Sequence, residues 1–160
     1  MGGFSFFYEE LIMMDLDADS DRKVLEMLAN RLATRGFVRE SYLGAVLERE
    51  QSFPTGLSTP DVGVAIPHAD FVHVVRPAVA VARLRRPVAF RRMDDPNSTV
   101  PVELVFMMAV SDPDGQITLL QRFMHLFSRG EVLLALKGAA TSAEVKAIFH
   151  RELESQAITG

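Results

Sequence analysis

Leu104-Val105-Phe106-Met107-Met108-Ala109-Val110 is the longest apolar run in the chain, and it is uninterrupted by any polar residue. It is far too short to span a bilayer. Its length and composition fit a β-strand buried on both faces, which requires covering layers on either side of its sheet. The rest of the chain offers helices for that purpose. Val24, Leu25, Leu28 and Leu32 recur at helical spacing after the acidic stretch Asp15–Asp21, which supplies N-cap candidates, and Gly36 closes that helix. A second helix is predicted over 39–50, burying Leu43, Val46 and Leu47.

Between the helices and the apolar run the pattern changes. Phe53-Pro54-Thr55-Gly56-Leu57-Ser58-Thr59-Pro60 cannot continue a helix or a central strand. Leu11-Ile12-Met13-Met14, Val62–Ile66, Ala78–Leu84 and Val102–Val110 read as strands, with Asp94–Ser98 as a polar loop between the last two. The final third is helical. Ile117, Leu119, Leu120, Phe123, Met124, Leu126 and Phe127 give one helix a wide apolar face. Thr141-Ser142-Ala143-Glu144 is a capping box opening a last helix that buries Val145, Ile148, Phe149 and Leu153. Helices, strands, then helices indicate a sheet covered by helices in one compact α/β domain over 1–160. The Phe-rich start (Phe4, Phe6, Phe7) suits core, partner surface or disorder alike, so residues 1–10 are set apart as a segment free to be flexible.

Composition narrows the chemistry. There are no cysteines, which removes disulfides, thiolate zinc ligands and a Cys nucleophile together. A formal net charge of −4 argues against a nucleic-acid binder that works by broad phosphate neutralisation. Neither a phosphate-binding glycine loop nor a G-x-S-x-G elbow occurs. The start has neither a basic region nor a small-residue cleavage site, so a cytoplasmic location is expected.

Histidines are then the candidates. His125 shares a helical side with polar residues, and His150 is flanked by Lys146 and Glu154 at four-residue steps; both read as solvated. His68 follows an apolar strand and a proline in Val64-Ala65-Ile66-Pro67-His68-Ala69-Asp70, at a strand end where ligands bind in α/β sheets. It reads equally as a turn histidine bonded to Asp70. With Asp70 and His73 it forms H-x-D-x-x-H, a weak metal pattern for which no further ligand pair is evident. An anion suits the surroundings better. Arg49 ends the second helix just before Thr55, Gly56, Ser58 and Thr59; guanidinium, hydroxyls and glycine-exposed N–H groups suit a phosphoryl group. Taken singly, Arg49 complements a helix C-terminus and Thr55-Gly56 is turn chemistry. Gln116 places an amide on the buried stripe of its helix, as a satisfied core residue or a support beside the His68 pocket.

Arg49-Glu50, then Phe53-Pro54-Thr55-Gly56, then Val64-Ala65-Ile66-Pro67-His68 resembles the signature of the fructose/mannitol-type (type 2) enzyme IIA domains of the bacterial phosphoenolpyruvate-dependent sugar phosphotransferase system. The resemblance runs from near Asp19 to Thr141. It implies a single mixed sheet flanked by helices on both sides. It places the phosphorylated histidine on His68, the arginine beside it on Arg49 and a loop threonine on Thr55. Many members carry a second active-site histidine where this chain has Gln116. That glutamine, Phe53–Gly56 and His73 are more similar to the galactitol-type proteins.

The resemblance implies a sugar phosphotransferase with no cofactor and no metal. HPr is the implied phosphoryl donor, and a cysteine of a cognate enzyme IIB the acceptor. The membrane component enzyme IIC engages only indirectly. Neutral imidazole is the nucleophile such a carrier needs, with its other nitrogen held as N–H by Asp70 or a backbone carbonyl. Phe71, Val72, Val74 and Val75 would form the docking patch. The alternative is a regulatory phosphoprotein resembling the nitrogen-related enzyme IIA proteins, controlling a partner by its phosphorylation state.

Overall fold

The computed structural model describes residues 6–159, with side chains through Leu153. Its strands are β1 (Ile12–Leu16), β2 (Gly56–Leu57), β3 (Val64–Ala65), β4 (Ala78–Arg91) and β5 (Thr99–Ala109). They form one sheet in the order β1-β4-β5-β3-β2. β1 lies parallel to β4 and β3 parallel to β5, whereas β4–β5 and β3–β2 are antiparallel, so the sheet is mixed.

Helices α1 (Asp21–Thr34) and α2 (Ser41–Ser52) cover one face; α3 (Pro113–Phe127), α4 (Gly130–Gly138) and α5 (Ser142–Thr159) cover the other. The sheet thus separates two cores. Leu25, Leu28, Leu32 and Tyr42 meet Ala80, Val105 and Met107 in the first. Leu119, Phe123, Leu133 and Phe149 meet Val79, Val81, Leu104 and Phe106 in the second. β5 carries the apolar run and is buried on both sides from Leu104 onward, as that composition demands, while Thr99 and Pro101 upstream are exposed.

The pleat of β5 changes phase once. Val105, Met107 and Ala109 face the α1–α2 core, but upstream it is Val100 and Val102 that do so. The register explains this: Leu104 pairs with Arg83 and Val102 with Val88, so Glu103 faces the bulge Leu84–Pro87 of β4. Side chains alternate with period two, so this irregularity moves the apolar set to the other face. Pro87, which has no N–H to donate, sits where pairing lapses.

Helix ends follow local chemistry. Ser20 Oγ accepts from Lys23 N at 3.1 Å to open α1, which closes at Gly36 with φ +80°, a left-handed turn that glycine adopts without strain. Thr141 Oγ1 accepts from Glu144 N at 3.2 Å, and the Glu144 carboxylate returns to Ala140 N at 2.8 Å, so the capping box forms with its return bond one residue early.

Four readings need correction. α2 buries Tyr42, Val46 and Glu50, while Leu43 and Leu47 are only half-buried: the helix is rotated from the expected phase. α3 has a narrower apolar face than its composition implies, since Ile117 and Met124 are exposed. The segment after it contains a separate helix, α4, whose mostly apolar composition obscured its phase. His150 is half-buried rather than solvated. As for the Phe-rich start, Phe7 is buried and stacks on Phe149 with centroids 4.1 Å apart, which anchors that part of the segment. Phe4 lies outside the described residues.

Candidate functional site

β3 delivers His68. Beyond Ala65 the chain stays extended, Pro67 O accepts from Met108 N at 3.0 Å, and His68 bridges to Met108 across the edge of β5. The imidazole is 7% exposed. Its Nδ1 lies 2.9 Å from Ile66 O. A carbonyl only accepts, so Nδ1 carries the proton and Nε2 keeps its lone pair. Burial lowers the proton affinity of the ring, as does the positive charge of Arg49, outweighing the Ile66 bond that opposes them. The ring is therefore a neutral, oriented imidazole at neutral pH. Of the two acceptors expected for Nδ1–H, the backbone serves. Asp70 instead caps the short 3-10 turn Phe71–His73, its Oδ1 accepting from Val72 N at 3.2 Å.

Arg49 stands in the last turn of α2, exposed, with its guanidinium 5.4 Å from the Phe53 ring centroid. A cavity of about 260 Å³ opens between Arg49, Asp70, Phe71, Pro113, Gln116 and Ile117. A larger groove of about 560 Å³ follows α2, walled by Glu48, Arg49, Phe53, Asp70 and His73. Gln116 reaches the first cavity from the opening turn of α3, where Asp112 caps Gly115 N at 2.6 Å. It is half-buried, a wall of the cavity rather than part of the deep stripe. Three of the expected residues, Arg49, Asp70 and Gln116, therefore wall one cavity, and His68 stands near enough to Arg49 for that charge to act on its ring. They combine a free imidazole nitrogen, a guanidinium and an amide near a helix N-terminus, a set able to hold and transfer an anion.

Thr55 and Gly56 lie elsewhere. Thr55 is buried, and both its donors go to the Glu50 carboxylate: N to Oε2 at 2.8 Å and Oγ1 to Oε1 at 3.0 Å. The hydroxyl expected at a phosphoryl group is thus engaged internally. Gly56 is a strand residue, where a Cβ would lie 2.6 Å from Arg91 O, so close packing, not amide exposure, demands glycine. His73 Nδ1 lies 2.7 Å from Ser41 Oγ, and among the described residues no three metal-binding side chains converge, so the H-x-D-x-x-H pattern does not gather into a site. In the apolar patch Phe71, Val72 and Val75 are exposed, but Val74 is core; exposed Phe53 and Ile117 extend the patch round the cavity.

Sequence reasoning left Glu50 as a signature residue without a role. Burial raises its carboxyl from 4.5 to about 7, against the opposing Thr55 bonds. The available signal was its four-residue spacing from Tyr42 and Val46 on the buried side of α2.

Residues 5–152 match the family model for the phosphoenolpyruvate-dependent sugar phosphotransferase system, EIIA 2. The galactitol-specific EIIA component of the phosphotransferase system of Escherichia coli K12 is 33% identical over 99 residues, 62% of this chain. The match spans 65% of that relative's length. Solved structures share the fold. The mannitol-specific cryptic phosphotransferase enzyme IIA CmtB of Escherichia coli aligns over 91% of this chain and 96% of its own, with TM-score 0.74 and 22% identity. A mannitol enzyme IIA from Escherichia coli, solved in complex with phosphorylated enzyme IIB, aligns over 87% of this chain and 93% of its own, with TM-score 0.71 and 20% identity.

Proposed function

This chain belongs to the EIIA 2 family of the phosphoenolpyruvate-dependent sugar phosphotransferase system, and from that membership we propose that it is a phosphotransferase, a phosphocarrier that holds the phosphoryl group on His68. The observation that carries the reading is the state of the His68 ring: buried, with Nδ1 pinned to Ile66 O at 2.9 Å and Nε2 left as the nucleophile.

In the first step Nε2 attacks the phosphorus of phosphohistidine on HPr. The new N–P bond forms as the donor's N–P bond breaks in line, and the donor imidazole leaves with the electron pair. Arg49 and the Gln116 amide face the equatorial oxygens, where charge shifts in a loose transition state. In the second step a cysteine thiolate of enzyme IIB attacks the same phosphorus, and His68 returns to the neutral ring. The 160 residues hold no cysteine, so that acceptor lies outside this sequence. The mannitol enzyme IIA caught with phosphorylated IIB supports a partner of this kind. The exposed patch of Phe53, Phe71, Val72 and Ile117 around the cavity suits docking of HPr and IIB in turn.

The galactitol-specific relatives support uptake of a sugar alcohol as the destination of the phosphate, with enzyme IIC choosing the sugar. No described helix is long and apolar enough to cross a membrane, in keeping with work in the cytoplasm. The test is incubation with phosphoenolpyruvate, enzyme I and HPr. Wild type takes up an acid-labile, alkali-stable phosphoryl group and His68→Ala takes up none. Absence of label on wild type with active donors sinks the reading.

A further inference from the structure

We infer that Glu50 is a positioning residue for transfer at His68, its buried carboxylate tying the end of the Arg49 helix to the strand pair that carries the histidine. The inference rests on the phosphocarrier reading above.

Glu50 is 8% exposed and Thr55 3%. Burying a carboxylate is costly, and a well-packed apolar side chain at such a site is commonly as stable or more so, so stability alone does not account for an acid here. What the acid does is geometric. Arg49 and Glu50 are neighbours on α2, and successive helical residues point about 100° apart, one into the cavity and one into the protein. The Glu50 carboxylate takes both the N–H and the hydroxyl of Thr55. Thr55 leads into β2, where Gly56 pairs with Ala65 of β3. The next residue, Ile66, supplies the carbonyl that pins His68 Nδ1. One carboxylate thus sets how far the guanidinium stands from the imidazole.

The link depends on ionisation, because a protonated carboxyl turns one acceptor oxygen into a hydroxyl and cannot serve both Thr55 donors as well. The charged groups facing Glu50 are Asp21 and Arg22 at the start of α1 and Arg91 at the end of β4, around a cavity of about 120 Å³. Asp21 raises the carboxyl and Arg91 lowers it, while burial dominates and brings it to about 7. His68 moves in the opposite sense, below 6.5. Falling pH therefore protonates Glu50 before it protonates His68, and the acid limb of wild-type transfer belongs to Glu50.

The experiment is single-turnover transfer from phospho-HPr at several donor concentrations and pH values, comparing wild type, Glu50→Gln, Thr55→Val and Thr55→Ser. The saturating rate at pH 7.5 is expected to fall about 10-fold or more in Glu50→Gln and Thr55→Val, and to hold in Thr55→Ser, which keeps both donors. The half-saturating donor concentration stays unchanged, since the docking patch is untouched. The acid limb moves from near pH 7 to below pH 6.5 in Glu50→Gln. Rates within two-fold of wild type per folded molecule, or an unmoved acid limb, overturn the inference. Should Glu50→Gln fail to fold, Thr55→Val decides on the rate criterion, because it retains the backbone donor. Failure of wild type itself to accept phosphate overturns the phosphocarrier reading instead.

Discussion

Arg49 shows how a single side chain is prepared for an anion. Its guanidinium lies over the Phe53 ring, 5.4 Å from the centroid, a contact that uses none of its N–H donors. The fork stays free for two phosphoryl oxygens at once, which a lysine ammonium cannot reproduce. Arg49→Ala is expected to slow phosphoryl transfer on the order of 100-fold, and Arg49→Lys to recover only part of that. Circular dichroism should show both variants folded, because the residue is exposed on the last turn of α2. At this scale the sequence was informative where chemistry is local. The place of His68 just beyond β3 is legible in Val64–His68, where a short apolar run meets a proline that has no N–H to give to a ladder. The internal engagement of Thr55 was not, because it depends on which way Glu50 points, and the rotation of α2 about its axis is set by packing on α1 and the sheet.

Helix α3 brings three functions into one element. Its first turn carries Gln116 into the cavity, its middle buries Leu119 and Phe123, and Asp112 fixes where it begins. Asp112→Ala removes the acceptor for Gly115 N and should cost about 1 kcal/mol, read as a lower urea midpoint at unchanged slope. Transfer should weaken as well, through fraying of the turn that holds Gln116. The element pattern of the chain was readable from spacing alone wherever one face is apolar, as in α1 and α5. It was least readable in α4, where Val132, Leu133, Leu134, Ala135 and Leu136 follow one another and no face stands out. The bulge opposite Glu103 was equally hidden, because a register shift arises from pairing between strands and leaves no mark on either strand by itself.

At the scale of the molecule, the sheet keeps two cores apart and hangs the site on its rim. The second core is dense in phenylalanine: Phe106, Phe123, Phe127 and Phe149 meet with centroids between 5.2 and 6.4 Å. The first core holds the only two tyrosines, and there is no tryptophan anywhere in the chain. The buried one, Tyr42, donates its hydroxyl to Met108 O at 2.6 Å, and Met108 is the residue that bridges to His68. Nature has thereby placed a fluorophore one backbone unit from the candidate phosphorylation site, with no indole emission to mask it. Arrival of a phosphoryl group should change the tyrosine emission of the unlabelled protein, in a signal that His68→Ala abolishes. Stopped-flow fluorescence can then follow each loading and discharge in real time, without isotope or dye.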